Sequence, residues 1–117
     1  MGEDSGLVLL VVGRLIRWLA VAYYAVVRER GSAWDGSRPM REQDGWDDHA
    51  VFMDALVDER VIVRGGPLGE GERRFLLVFD APSEEAIRSR LREDPWTPAA
   101  MLRIVSIDRW EILLGND

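Results

Sequence analysis

The chain contains one histidine, His49, and this residue is its strongest candidate for acid–base chemistry. Imidazole has an ordinary pKa of about 6.5, so it both accepts and donates protons near neutral pH. A general base of this kind needs a partner that fixes its tautomer and stabilises the imidazolium. Asp94 is a candidate partner because it stands before Pro95 at the end of a predicted helix, where a carboxylate projects from a rigid element. The pair would suit proton abstraction beside a carbonyl, which leads to isomerisation or elimination.

Each member of this pair also has a purely structural interpretation. His49 falls on an apolar helix face with Met53 and Leu56, so it is alternatively a core histidine bonded to a backbone carbonyl. Asp before Pro is a common way to end a helix, and Asp94 would then have no chemical role. The residues alone leave both alternatives open.

Two further stretches offer contacts to an anionic ligand. Gly65 and Gly66 would let backbone N–H groups approach a ligand closely, and Gly66 and Pro67 are our candidate substrate-binding residues there. The alternative for this stretch is an ordinary hairpin turn. Arg109, in the last predicted strand, would bind a carboxylate if it points into the interior of the assembled protein.

The five tryptophans are many for a chain of 117 residues. Tryptophan is large and amphipathic, and it often lines pockets or interfaces. Trp96 is a candidate substrate-binding residue that would wall a pocket with Trp46 and Trp110, and the alternative is packing in the core or at a dimer interface. Trp34 lies in a predicted loop that would close over a ligand.

The composition excludes several classes of function. The net charge is −6, which argues against a nucleic-acid partner, because phosphate binding needs a basic surface. The chain has no cysteine, so disulfides, thiol nucleophiles and thiolate metal sites are excluded. With a single histidine, a histidine-rich metal site is excluded too, and Asp44, Asp47 and Asp48 are better explained by helix capping. The absence of cysteine leaves either redox compartment open, and we expect a cytoplasmic protein that uses no cofactor.

Residues 7–27 form an apolar run about as long as a membrane span. Arg14 and Arg17 interrupt it near the middle, where charge is costly in a bilayer, so a membrane-tethered domain is only our third interpretation. We expect instead an N-terminal extension at residues 1–20, either a non-native start or a short helix at 6–18, followed by one domain at 21–117. Intact-mass analysis of the protein from its own organism tests whether residues 1–20 are native.

The elements that must position these residues follow from the periodicity of apolar side chains. The order is β-α-β-β-α-β, with a long loop at 29–43 and a turn at 65–71. The predicted strands are residues 21–28, 61–63, 75–79 and 102–114, and the predicted helices follow the caps Asp44 and Ser83. This order predicts an α+β, ferredoxin-like domain with a four-stranded antiparallel sheet and two helices on one face. The bare sheet face would need cover, and a second copy of the chain is the simplest cover.

Several motifs occur in a recognisable order: the strand YYAVVRERG, a helix with His49 in its middle, the segment GGPL, Asp94-Pro95 after the second helix, and Arg109-Trp110 in the last strand. In this order the stretch from Val21 to Leu114 resembles the YCII-related family. The resemblance implies a dimeric α/β barrel made of two ferredoxin-like sheets. Related barrels include small isomerases, dehydrochlorinases and monooxygenases, and in the family a helix histidine and the aspartate of the Asp-Pro pair form the proposed active site. Those positions correspond to His49 and Asp94.

These considerations predict a small cofactor-free enzyme that uses the His49–Asp94 pair for acid–base chemistry on a small carbonyl or aromatic metabolite. The alternative is a non-catalytic homodimeric module that binds a small molecule or a partner. An open, tryptophan-lined cavity that holds both residues would favour the enzyme. A buried His49 with no pocket beside it would favour the module.

Overall fold

The computed structural model describes residues 22–115, and it contains six main elements in the predicted order. They are β1 (Tyr23–Arg30), α1 (Trp46–Asp58), β2 (Ile62–Leu68), β3 (Arg74–Asp80), α2 (Glu84–Leu91) and β4 (Leu102–Arg109). A single 3-10 turn, Met40–Glu42, lies in the predicted loop before α1. The extension expected at residues 1–20 lies outside the described residues.

The four strands form one antiparallel sheet in the order β2-β3-β1-β4. Leu56 of α1 and Ile87 of α2 pack in the same buried cluster as Val26 of β1, so both helices cover one face of the sheet. This arrangement is the ferredoxin-like α+β fold that the sequence predicts.

Side chains alternate between the two sheet faces along each strand. Val26 pairs with Leu77 of β3, and both are buried beneath the helices. Arg28 is two residues further along β1, so it shares their face and is also buried, with 3% of its surface exposed. A charged side chain thus lies between the sheet and the helices.

The predicted turn at residues 65–71 is wrong in its first half. Residues Gly65 to Leu68 continue β2 and pair with β3, and the chain reverses only at the following residues. Gly69 and Gly71 have φ values of 71° and 85°, the left-handed conformations that a tight reversal requires. A Cβ at Gly65 would come within 2.6 Å of the end of the Leu77 side chain, so a larger residue there would require Leu77 to move.

The two helix starts differ in how well the sequence predicts them. Ser83 caps α2 as expected, and its Oγ accepts a hydrogen bond from the Ala86 amide at 3.1 Å. Asp44 does not cap α1. The N-cap of α1 is Gly45, with φ at 77°, and the Asp44 side chain is exposed and faces Arg38. The left-handed turn at Gly45 moves the helix start one residue beyond the predicted cap.

The last strand is shorter than the predicted stretch of 102–114, because β4 ends at Arg109. The residues after it are irregular, and Leu113 and Leu114 are 80% and 90% exposed. In the part of the chain that the structure describes, no helix has the length and apolar character needed to cross a membrane.

Candidate functional site

His49 and Asp94 meet in the buried space between α1 and the segment after α2. The Nδ1 atom of His49 lies 2.9 Å from Oδ1 and 3.0 Å from Oδ2 of Asp94. His49 is in the first turns of α1, on its buried side, and Asp94 is fully buried. The two residues are 45 positions apart in sequence, so the packing of the two helical segments on the sheet creates the pair.

Two further donors hold the Asp94 carboxylate. Arg28 donates from Nη2 to Oδ2 at 2.9 Å, and the backbone amide of Trp96 donates to Oδ1 at 2.9 Å. Burial by itself raises the pKa of Asp94, but the hydrogen bonds from His49, Trp96 and Arg28 together outweigh it and lower that pKa. Asp94 is therefore a carboxylate at neutral pH, although no part of it is exposed.

An ionised Asp94 determines the tautomer of His49. A carboxylate only accepts hydrogen bonds, so the proton of the neutral imidazole must sit on Nδ1. The lone pair then lies on Nε2, which makes none of the hydrogen bonds found among the described residues. This is the protonation pattern that a general base requires.

Trp96 fixes the plane of the imidazole. Its indole stacks on His49 with ring centroids 3.9 Å apart and planes 10° from parallel. Trp96 is itself anchored, because its Nε1 donates to the carbonyl oxygen of Asp44 at 2.8 Å. Trp46 lies beside both rings, with its centroid 5.7 Å from that of His49 and 5.8 Å from that of Trp96. Trp46 and Trp96 thus both contact the histidine, whereas Trp110 follows β4 and is 41% exposed.

Trp34, from the loop after β1, extends the aromatic cluster. Its ring centroid is 5.9 Å from that of Trp96 and 6.1 Å from that of Phe75. The guanidinium of Arg30 lies over the same indole at 5.0 Å, a cation–π contact. Within residues 22–115, Trp34 Nε1 is the buried side-chain polar atom that has no hydrogen-bond partner.

Arg28 is the part of this site that the sequence analysis missed. The signal was present, since Arg28 occupies the same strand face as the apolar Tyr24 and Val26. A charged residue at a position that the alternation predicts to be buried needs a partner of opposite charge. That partner is Asp94, 66 positions away, so the sequence marks the arginine but does not identify its partner.

The remaining predicted site residues lie on the sheet. Pro67 pairs with Phe75, which pairs with Arg28 on its other side, so Pro67 is two strands away from Arg28, about 10 Å. Gly66 is the preceding residue of the edge strand. Arg109 ends β4 opposite Tyr24, about 13 Å along β1 from Arg28, and its guanidinium lies 6.0 Å from the Tyr24 ring. Of the four predicted substrate-binding residues, Trp96 is the one that contacts the His49–Asp94 pair directly, and ligand-binding roles for all four stay predictions.

No cluster of three or more histidine, aspartate or glutamate side chains within the described range could hold a metal ion. The chemistry that the arrangement offers from its own residues is proton transfer at His49 Nε2. The protein is thus a ferredoxin-like α+β domain with a buried His–Asp–Arg cluster.

A comparison with a solved structure agrees with this fold. Among solved structures, the chain is similar to 5-chloro-2-hydroxyhydroquinone dehydrochlorinase (TftG) from Burkholderia phenoliruptrix, determined in complex with 2,5-dihydroxybenzoquinone. The identity is 20%, the TM-score is 0.50, and the match covers 75% of this chain and 93% of that one. A structural-genomics protein, YjcS, matches with 13% identity and a TM-score of 0.46, over 80% of this chain and 99% of that one. No protein-family model and no curated protein matches the chain.

Proposed function

We propose that this domain is a small enzyme of the YCII-related family that uses His49 and Asp94 for acid–base chemistry. The observation that carries the proposal is the ionised, buried Asp94, which accepts a hydrogen bond from His49 Nδ1 and leaves Nε2 with the lone pair. A histidine with only a packing role does not need a buried carboxylate that is itself held by an arginine and a backbone amide. Burying these charged groups removes them from water, which costs free energy. A functional role would explain why the protein keeps such a cluster.

In the proposed reaction, His49 Nε2 removes a proton from a carbon next to a carbonyl group. The C–H bond breaks, an N–H bond forms, and the electron pair of the carbon moves towards the carbonyl oxygen to give an enolate. Asp94 stabilises the imidazolium that results. The proton then returns to another carbon, which is isomerisation, or a leaving group departs from the neighbouring carbon, which is elimination.

We propose small carbonyl or aromatic metabolites as the substrates. The likeness to a dehydrochlorinase that binds 2,5-dihydroxybenzoquinone supports hydroxylated quinones and chlorinated hydroquinones as the first compounds to assay. At 20% identity the similarity shows the fold alone. The choice of compounds is therefore part of the proposal.

The proposal is tested by proton exchange and elimination assays on this panel. NMR in D2O follows exchange at carbons beside carbonyl groups, and chloride release follows elimination. We expect His49→Gln to lower the rate by about 10²- to 10⁴-fold, the usual contribution of a general base. Asp48→Asn is the matched control, since Asp48 is an exposed residue next to His49 in α1. Equal rates in the parent and in His49→Gln would contradict the proposed role.

One observation favours a second candidate, a non-catalytic binding module. Only 6% of His49 is exposed, so the protein around it restricts access by a substrate. In that case the His49–Asp94 pair stabilises the packing of α1, and ligand binding takes place elsewhere in the protein. A parent protein that binds members of the panel without exchanging their protons, and a His49→Gln variant that binds them equally well, would support this candidate.

A further inference from the structure

A cavity of about 760 Å³ opens between α2 and the ends of β1 and β4. Its volume falls within the range that small-molecule sites commonly have. Its lining is unusual for a chain with a net charge of −6, because five arginines contribute to it. They are Arg28, Arg30, Arg88, Arg92 and Arg103. Among the described residues that line this cavity, none is aspartate or glutamate.

Arg28 is paired with the buried Asp94, but the charges of the other four arginines are only weakly neutralised. Arg88 and Arg92 contact Glu84 and Glu85 on the solvent side of α2, and the second of these pairs is 3.9 Å long. Arg103 pairs with Glu29 at the sheet surface. Exposed pairs of this kind contribute little and exchange readily with other charges. The cavity therefore keeps a positive potential that favours an anion.

In the described part of the chain, Arg30 is the clearest example of a lining arginine whose charge is not neutralised by a carboxylate. Its guanidinium donates to the backbone carbonyl oxygens of Glu72 and Gly71, and it lies over the indole of Trp34. These contacts fix the position of the group without neutralising its charge. An arginine held in this way loses less conformational entropy when it binds a carboxylate or phosphate.

The rest of the lining fits an organic ligand. Leu91, Leu102 and Ile104 supply apolar contacts, and Ser32 and Thr97 lie among the polar lining residues. Gly31 allows the backbone after β1 to lie close to the backbone at Ala100, because a Cβ at Gly31 would come within 2.2 Å of the Ala100 carbonyl oxygen. Apolar and cationic surfaces thus occur side by side in one cavity.

We infer that this cavity binds a small organic anion, with an apolar body and a carboxylate or phosphate group held by the arginines. The site is distinct from the His49–Asp94 pair, although Arg28 contributes to both. The inference concerns binding alone, so it holds or fails independently of the proposed acid–base reaction.

The test is an NMR titration of the full chain at constant ionic strength with three probes that share a phenyl ring: phenyl phosphate, benzoate and the neutral benzyl alcohol. We expect saturable shifts of the Gly31, Ser32 and Ala100 amides with at least one anion, and binding at least about tenfold tighter than that of benzyl alcohol. The order of the two anions distinguishes a phosphate site from a carboxylate site.

Substitutions in α2 provide a matched comparison. Arg88→Gln should weaken binding of the tighter anion by at least about threefold, because it removes a charge from the lining. Arg90→Gln makes the same charge change in the same helix, but Arg90 contacts Glu59 and does not line the cavity, so binding should be unaffected. Equal weakening by both variants, benzyl alcohol binding as tightly as the anions, or no saturable shift with either anion would each overturn the inference.

Discussion

The imidazole of His49 lies flat against the indole of Trp96, with the two ring centroids 3.9 Å apart. This contact fixes the plane of the histidine, and the hydrogen bond to Asp94 fixes its rotation within that plane. Trp96 also donates its backbone amide to Asp94, so one residue positions both members of the pair. The histidine is therefore held in one orientation and one tautomer before any ligand arrives.

The tautomer of His49 should depend on Asp94. We expect the neutral ring of the parent to carry its proton on Nδ1, because the ionised Asp94 only accepts hydrogen bonds. In Asp94→Asn the side chain offers both a donor and an acceptor, so the Nε2-protonated form should become populated. Long-range ¹H–¹⁵N correlation spectra distinguish the two forms, and the single histidine makes the assignment unambiguous. A parent ring protonated on Nε2 would refute the geometry on which the proposed function rests.

The same substitution should show a specific pH dependence of stability. The pKa of Asp94 in the folded protein is below its ordinary value of 3.8, so the carboxylate stabilises the fold above about pH 4. This contribution is lost as the pH falls through the lowered folded-state pKa. At pH 7 we expect Asp94→Asn to reduce the free energy of unfolding by about 3 kcal/mol, because it breaks a buried ion pair.

Urea unfolding of the parent and of Asp94→Asn between pH 7 and pH 3 measures this dependence. The difference between their free energies of unfolding should narrow below about pH 4, where Asp94 becomes protonated in the unfolded chain and then in the folded protein. The two proteins share every other acidic group, so the effects of those groups on stability largely cancel in the difference. If the difference in free energy of unfolding stayed constant down to pH 3, Asp94 would not be the titrating group.

Gly45 should be required at the start of α1. Its φ of 77° is unfavourable for residues with a side chain, and a Cβ there would lie 3.2 Å from Trp96 Nε1. Gly45→Ala should therefore destabilise the fold by about 1–2 kcal/mol. Gly36→Ala is the control, because a Cβ at Gly36 would meet no atom within 4 Å. Thermal or urea unfolding compares the two variants, and equal stabilities would count against the strain at Gly45.

We predict that the domain forms a homodimer through the sheet face opposite the two helices. Ala25 and Val27 of β1 lie on that face beside Val78 and Leu76 of β3, which makes its centre apolar. Val27→Asp should convert the dimer to a monomer, and Val57→Asp, at an exposed position of α1, should not. Sedimentation velocity at micromolar concentration measures both, with circular dichroism to confirm folding. A monomeric parent would contradict the prediction.

Local patterns in the sequence were sufficient to predict the order of elements. Runs of apolar residues mark β1 and β3, and Ser83 followed by two acidic residues marks the start of α2, because caps and apolar runs are properties of neighbouring residues. The prediction of a turn beginning at Gly65 was wrong because it, too, used only neighbouring residues. Glycine and proline favour turns locally, and only the pairing with β3 keeps this segment extended.

The amino-acid sequence was enough to predict the fold class, and it pointed to His49 as a residue able to transfer protons and to Asp94 as a candidate partner that orients it. The folded structure was needed to show that they meet, that Trp96 stacks on the histidine, and that Arg28 joins the pair across 66 positions of sequence. A buried charge is stable only where donors converge on it in three dimensions. Residues distant in the chain supply those donors, so no local pattern records their convergence.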